Sequence, residues 1–228
     1  MNTNVTFAAP LGVMAFLGTG FVMAVATLFL LYSLAVRKFG RARIAAVTLL
    51  IIGGLYVGAM LVFAFASSDK VLVRGSEKHF CEIDCHLAYS VVDVKQSKTI
   101  GDPSNQTTAN GSFSVVTIKT RFDETTISPG RGDATLYPNS RVLTVVDDQG
   151  RKYSPSAAGG QALELSGGAG KPFPTPLRPG ESYTTVVVFD LPADARNPKL
   201  LINEGEWVTH LIIGHENSPL HKQTRFQL

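Results

Sequence analysis

The 228 residues carry 21 basic and 18 acidic side chains, a formal charge of +3, and 45% hydrophobic residues. That average conceals a division: residues 1–66 hold no Asp or Glu, and their only charges are Arg37, Lys38, Arg41 and Arg43. The rest of the chain is left with 17 basic residues against 18 acidic ones. A domain so balanced lacks the positive face that nucleic-acid binding requires.

Residues 11–36 and 44–66 are free of charge. About 20 apolar residues cross the hydrocarbon core as a helix, so both runs are long enough to span. A signal peptide would begin with basic residues and end at a small-residue cleavage site. Here MNTNVTFAAP precedes the first run and the basic residues follow it. The loop 37–43, RKFGRAR, holds positive charge of the kind that stays in the cytoplasm. The expected topology is a two-pass hairpin (1–66) in the cytoplasmic (inner) membrane. The N-terminus and an extracytoplasmic domain, 67–228, then lie outside, in the periplasm. The spans contain no acidic residue, which argues against an ion path through this chain. Gly54 and Gly58 form a small-xxx-small pattern that lets helix backbones approach closely. Their partner is either the first span, which offers Gly12, Gly18 and Gly20, or a helix of another membrane protein.

Next comes HFCEIDCH, residues 79–86, with both cysteines and two of the five histidines. Outside the cytoplasm a Cys81–Cys85 disulfide is the default. In a strand the two Cα atoms would lie about 13 Å apart, and in a helical turn about 6 Å. The bridge therefore needs a compact turn, and it needs no cofactor. Three other readings stay open. The run from Cys81 to His86 is one residue longer than the C-x-x-C-H attachment motif of c-type haem, with His86 as axial ligand. His79, Cys81, Cys85 and His86 could hold copper or zinc. The cysteines could also be an inert reduced pair.

The outer domain shows short β-rich runs at 87–94, 112–122, 141–147, 183–191 and 207–213, separated by Gly-, Pro-, Asn- and Asp-rich segments. That punctuation predicts an all-β sandwich. Within 112–122, alternation places Val116, Ile118, Thr120 and Phe122 on one face and Thr117, Lys119 and Arg121 on the other. The last run, WVTHLII, predicts a strand, followed by turns at Gly214 and Ser218-Pro219 and a short edge strand ending at Phe226. A ligand site built from His215, Glu216, Asn217 and His221 together with the 79–86 turn is the competing reading of the tail.

Three motifs in this domain carry a resemblance. Asp147-Asp148-Gln149-Gly150-Arg151-Lys152-Tyr153 is a strand end, a turn and a Tyr. Leu177-Arg178-Pro179-Gly180-Glu181-Ser182 follows, and the apolar strand Val186–Leu191 then closes at Pro192. Together they resemble bacterial extracytoplasmic immunoglobulin-like sandwiches whose family name records only unknown function. The resemblance covers about residues 112–203 and implies an immunoglobulin-like sandwich, as a lipoprotein or membrane-anchored domain, with binding or assembly as its work. A second resemblance is one of layout only. Two spans before an outward β-domain, with two cysteines four apart, are similar to the second subunit of cytochrome oxidase, which implies copper. Here, however, the cysteines come first in the domain and no Met follows them.

No nucleophile elbow, phosphate loop or His-Glu-x-x-His appears, so an enzyme is not expected. Arg131-Gly132-Asp133 sits in a Pro/Gly loop and reads as a chance tripeptide. The sequons at Asn105 and Asn110 matter only in a secretory pathway that uses them. The expected function is a membrane-anchored, non-catalytic binding or assembly module, an accessory subunit of an envelope or membrane complex. Its partners would be the lipid bilayer and other subunits of that complex. The alternative is a metal- or haem-binding redox protein using His79–His86.

Overall fold

The computed structural model describes residues 8–80, 86–126 and 130–228, with residues 8–10 described by backbone alone. Expectations that rest on Cys81 and Cys85, the disulfide above all, therefore lie outside the described residues. The chain forms two compact units. One holds helices α1 (Ala8–Ala35) and α2 (Phe39–Ala66) together with Trp207–Lys222. The other holds Asp69–Glu206 with Gln223–Leu228.

The segments Leu11–Ala35 and Phe39–Ala66 are each long and apolar enough to cross a membrane. The turn between the helices has a specific cause. Lys38 N–H bonds back to Ser33 O (2.8 Å) and Arg37 N–H to Leu34 O (3.0 Å), with Arg37 at φ 54°. This pair of bonds around a left-handed residue ends a helix cleanly and lets α2 begin one residue later. In α2 the least exposed positions include Ala42, Ala45, Gly53 and Ala64, a stripe at helical spacing. A Cβ added at Gly53 would sit 3.9 Å from the Met23 methyl of α1. Gly54 and Gly58 lie on an exposed face, where an added Cβ meets no heavy atom within 4 Å.

The segment expected as a strand at 207–213 is instead a 3₁₀ helix, Trp207–Leu211, followed by successive turns. The turns are held by Ile212 N–H to Thr209 O (3.4 Å), His215 N–H to Ile212 O (3.2 Å) and Ser218 N–H to His215 O (2.9 Å). Polar side chains close the segment on itself. Asn217 Nδ2 donates to Thr209 Oγ1 (2.8 Å), and the Ser218 hydroxyl donates to Ile212 O. The Leu211 carbonyl, which a strand would offer to a neighbour, accepts from the Tyr56 hydroxyl (2.6 Å). Tertiary contact with the helices thus overrides the β-propensity of WVTHLII.

The second unit is a two-layer β-sandwich. Its strands are β1 (Lys70–Leu72), β2 (Lys78–Phe80), β3 (Leu87–Ile100), β4 (Thr107–Phe122), β5 (Arg141–Val146), β6 (Lys152–Tyr153), β7 (Ser182–Leu191), β8 (Lys199–Glu204) and β9 (Thr224–Gln227). One sheet has the order β1-β9-β8-β5-β6 and the other β2-β3-β4-β7. Pairing is antiparallel except between β1 and β9. Segments 99–100 and 107–111, placed by sequence in a loop, belong to the β3–β4 hairpin. Val116, Ile118, Thr120 and Phe122 are all fully buried, as the alternation requires. They meet Tyr89, Val91 and Phe189 from their own sheet and Val145, Leu200, Ile202 and Phe226 from the other. A smaller cluster of Phe113, Val188 and Ala162 lies beneath helix α3 (Ala157–Leu165).

The motif turns have local explanations. Asp147 Oδ1 accepts from Gln149 N–H (3.0 Å) and Arg151 N–H (2.9 Å), and Oδ2 accepts from Arg151 Nε (2.7 Å) and the Tyr153 hydroxyl (3.0 Å). One carboxylate therefore specifies the D-x-x-G-x-x-Y spacing, and Gly150 supplies the left-handed residue at φ 77°. Gly111 has a different reason for being Gly, since its added Cβ would lie 2.0 Å from the Leu191 carbonyl oxygen in the neighbouring strand. A strand glycine of this kind marks close backbone approach. Gly111→Ala is expected to destabilise the sandwich by about 2 kcal/mol or more, in the range of forced overpacking, read as a lowered denaturant midpoint.

Candidate functional site

Strand β2 is the three-residue sequence Lys78-His79-Phe80, and all three side chains are buried. Strand alternation sends Lys78 and Phe80 to one face and His79 to the other. Two polar clusters follow, one on each side of the strand.

The outer cluster is set by register. His79 pairs with Ala88 of β3, and Ala88 pairs with Arg121 of β4. The three therefore lie in one row, with the small Ala88 between the two large polar side chains. Asp123 follows directly after β4, fixed by its N–H to His86 O (2.7 Å). His79 Nε2 lies 2.9 Å from Asp123 Oδ2, and both side chains are almost fully buried. Asp123 Oδ1 accepts from Thr125 N–H (3.1 Å) and the Thr125 hydroxyl (2.6 Å). Arg121 grips Glu77 with two bonds, Nε to Oε1 (2.7 Å) and Nη2 to Oε2 (2.8 Å), and reaches Asp123 Oδ2 at 3.2 Å.

The charges follow from this geometry. Burial opposes ionisation of Asp123, but hydrogen bonds from Thr125, His79 and Arg121 together outweigh it and hold the carboxyl well below the usual range. The Arg121 hydrogen bonds likewise hold Glu77 below the usual carboxylate range, against partial burial. Glu77 in turn raises the Arg121 guanidinium above its ordinary value. An ionised Asp123 can only accept, so His79 Nε2 carries the hydrogen. The other ring nitrogen, Nδ1, is buried and has no hydrogen-bond partner among the described residues.

Glu77, His79 and Asp123 offer ligand atoms within 4.8 Å of one another, a set whose N and O donors suit zinc. Arg121 already occupies that position as the cation, bonded to both carboxylates. His86, across the 81–85 segment, is also engaged. Its ring stacks on Phe122 (centroids 5.2 Å apart), and Nδ1 lies 2.7 Å from Thr126 Oγ1. Thr126 gives its hydroxyl hydrogen to Asp123 O (2.9 Å), so His86 Nδ1 is the donor in that contact. Of the four residues expected as metal ligands, His79 and His86 thus stand on either side of the 81–85 segment, each with a polar partner from the segment after β4. Cys81 and Cys85 lie outside the described residues.

The inner cluster lies between the sheets. Lys78 Nζ donates to Ile202 O (2.6 Å) and Thr224 O (3.4 Å), which ties β2 to β8 and β9 of the opposite sheet. Arg141 Nη1 donates to Glu204 Oε1 (2.9 Å) and its Nε to the Tyr89 hydroxyl (3.1 Å). Phe80 is flanked by both cations, with Lys78 Nζ at 4.8 Å and the Arg141 guanidinium at 4.2 Å from its centroid. Burial raises the Tyr89 phenol above its ordinary value.

His215, Asn217 and His221 belong with the helical unit, and His215 Nδ1 accepts from Asn217 N–H (3.0 Å) within its own turn. Sequence reasoning missed Glu77, Arg121 and Asp123 as partners of His79. The available signal was the out-facing Arg121 beside an Asp at the strand end, legible only once the β2–β3–β4 register is known.

No protein-family model matches the chain, and no curated protein matches it. Among solved structures it is similar to MPT63, a secreted protein from Mycobacterium tuberculosis, at 14% identity and a TM-score of 0.43, covering 71% of this chain and 98% of that one. It is also similar to a conserved hypothetical protein from Bacillus anthracis, at 14% identity and a TM-score of 0.42, covering 57% of this chain and 89% of that one. A third similar structure is the yjhA protein from Bacillus subtilis, at 13% identity and a TM-score of 0.40, covering 68% and 98%.

Proposed function

We propose that the chain is a two-pass protein of the cytoplasmic membrane, holding an immunoglobulin-like sandwich on the outer side as a non-catalytic binding or assembly module. The observation that carries this reading is the pair of long apolar helices whose only charges, Arg37, Lys38, Arg41 and Arg43, fall in the turn between them and the first turns of α2. Basic residues in short loops stay inside, which supports an outward β-sandwich. The charged side chains of both polar clusters are bonded to one another and to backbone, an arrangement that suits a rigid scaffold better than a reactive centre. The open Gly54–Gly58 face offers a close-packing surface to a helix of another subunit. Single cysteines placed at Arg41 and at Gly130, in a background without Cys81 and Cys85, test the orientation. In intact cells a membrane-impermeant maleimide is expected to label the Gly130 position and spare the Arg41 position, and the reverse pattern would overturn the reading. Purification in mild detergent tests the subunit role, which fails if the protein always emerges alone.

A second reading is supported by His79. A carboxylate that orients one ring nitrogen and leaves the other unpaired is the usual support for a metal-ligating histidine. Copper or zinc held by His79 Nδ1 with thiolates of the adjacent segment would use that arrangement. Stoichiometric zinc uptake by the reduced protein, lost in His79→Ala, is the expected result. Equal uptake by both proteins would dismiss it.

A further inference from the structure

We propose that Trp207–Lys222 is a lipid-binding segment, lying against the outer half of the two helices at the boundary between headgroups and acyl chains. The inference rests on the reading of α1 and α2 as membrane spans and adds a third membrane-contacting element to them.

Its position along the helices is fixed by three contacts. The Tyr56 hydroxyl donates to Leu211 O. A Cβ added at Gly12, near the start of α1, would lie 2.5 Å from Ile213 O. A Cβ added at Gly214 would lie 3.6 Å from Phe63 Cδ1. Counting about 20 residues of hydrocarbon core from Ile44, the first residue after the four basic ones, puts the outer edge of the core near Phe63. Tyr56 lies seven residues below that edge, about 10 Å at the helical rise. The segment therefore straddles the boundary.

Its surface suits that depth. Trp207 is 71% exposed and Leu220 is 64% exposed, and Leu211 is exposed as well. Leu220 also adopts φ 64°, a conformation unfavourable for a branched side chain. The fold thus accepts a strained backbone at a residue whose apolar side chain points outward. Water gives no return for that arrangement, whereas acyl chains do. Trp is the residue enriched at the headgroup level. The backbone meets the other requirement. Near the hydrocarbon, polar main-chain groups must be bonded within the protein, and here the successive turns, His215 Nδ1 and the Ser218 and Tyr56 hydroxyls take up N–H and C=O groups. Ordinary surface loops leave such groups to water.

Trp207 is the single Trp of the chain, so intrinsic fluorescence reports on this segment alone. The full-length protein is reconstituted into phosphatidylcholine vesicles, and flotation with carbonate resistance establishes whether the helices are inserted. In floated vesicles the expected Trp207 emission is blue-shifted. Phosphatidylcholine brominated near the top of its acyl chains should remove most of it, and aqueous iodide should quench it weakly. Gly12→Leu, which displaces Ile213 from α1, is expected to reverse that order of quenching while flotation persists. Inserted protein with water-like Trp207 emission, quenched by iodide and spared by bromolipid, would overturn the inference and leave the spans intact. Failure to float in carbonate would instead sink the reading of the spans, and the inference with it.

Discussion

Asp123→Ala is expected to lower the unfolding free energy of the sandwich by about 3–5 kcal/mol, the usual cost of removing one partner from a buried, hydrogen-bonded charge pair. The carboxylate is almost fully buried and serves His79, Arg121 and Thr125 together. Its removal leaves the His79 N–H and the Thr125 groups facing each other without an acceptor. Asp123→Asn keeps the volume but sets an amide N–H₂ or a neutral oxygen against Arg121 and His79, so it should recover only a minor part of the loss. Far-ultraviolet circular dichroism of the detergent-solubilised protein through a denaturant series gives the midpoint, and an unchanged midpoint would show that the cluster contributes nothing. The same residue predicts a pH dependence. Asp123 is held below the usual carboxylate range in the folded state. The stability from its ionised form is fully present above the unfolded carboxyl value of about 4. It is lost as pH falls through the lower folded value. The acid limb of the stability profile should therefore flatten in Asp123→Asn.

Arg141→Ala is expected to cost about 3 kcal/mol or more by the same rule for buried partners. The guanidinium and Glu204 are each only 2% exposed, and Arg141 also serves the Tyr89 hydroxyl and lies over the Phe80 and Tyr89 rings. Arg141→Lys keeps the charge but loses the planar fork and the stacking. It should fall between wild type and Arg141→Ala. A lysine variant as stable as the wild type would mean that charge alone matters at this position.

The sequence disclosed elements whose signal is local. Two charge-free runs define α1 and α2, and the alternation in 112–122 gives both the strand and its buried face. The runs at 141–147 and 183–191 correspond closely to β5 and β7. Strand β8, Lys199–Glu204, escaped because Leu200, Leu201 and Ile202 are all buried. A strand buried on both faces loses its alternation. Helix α3 escaped because Gly159 and Gly160 depress its propensity, although Ser156 caps it and Gly159 leaves no room for a side chain beside Val188. WVTHLII misled in the opposite sense, with good β composition spent on a 3₁₀ turn against the helices. The polar clusters were illegible for a different reason. Glu77, His79, Arg121 and Asp123 meet only through strand register, and nothing in their spacing reports it. The two histidines were noticed through the cysteines beside them, and their partners Asp123 and Thr126 carried no motif at all.

The parallel pairing of β1 with β9 has a consequence for synthesis. Strand β1 begins four residues after α2, and β9 ends one residue before the last. Lys70 pairs with Thr224, Val71 with Arg225 and Leu72 with Phe226. The first strand of the domain thus waits for the ninth, and both its edges stay unpaired until Thr224–Gln227 has been made. Such long-range closure slows folding, and an open strand edge invites pairing with another chain. A nascent chain stalled before Thr224 would hold β2-β3-β4-β7 and the β5–β8 pair, yet leave Leu72 and Leu200 without the Phe226 ring that fills the space between them. Quality control that senses exposed strands would therefore register whether Thr224–Gln227 is in place.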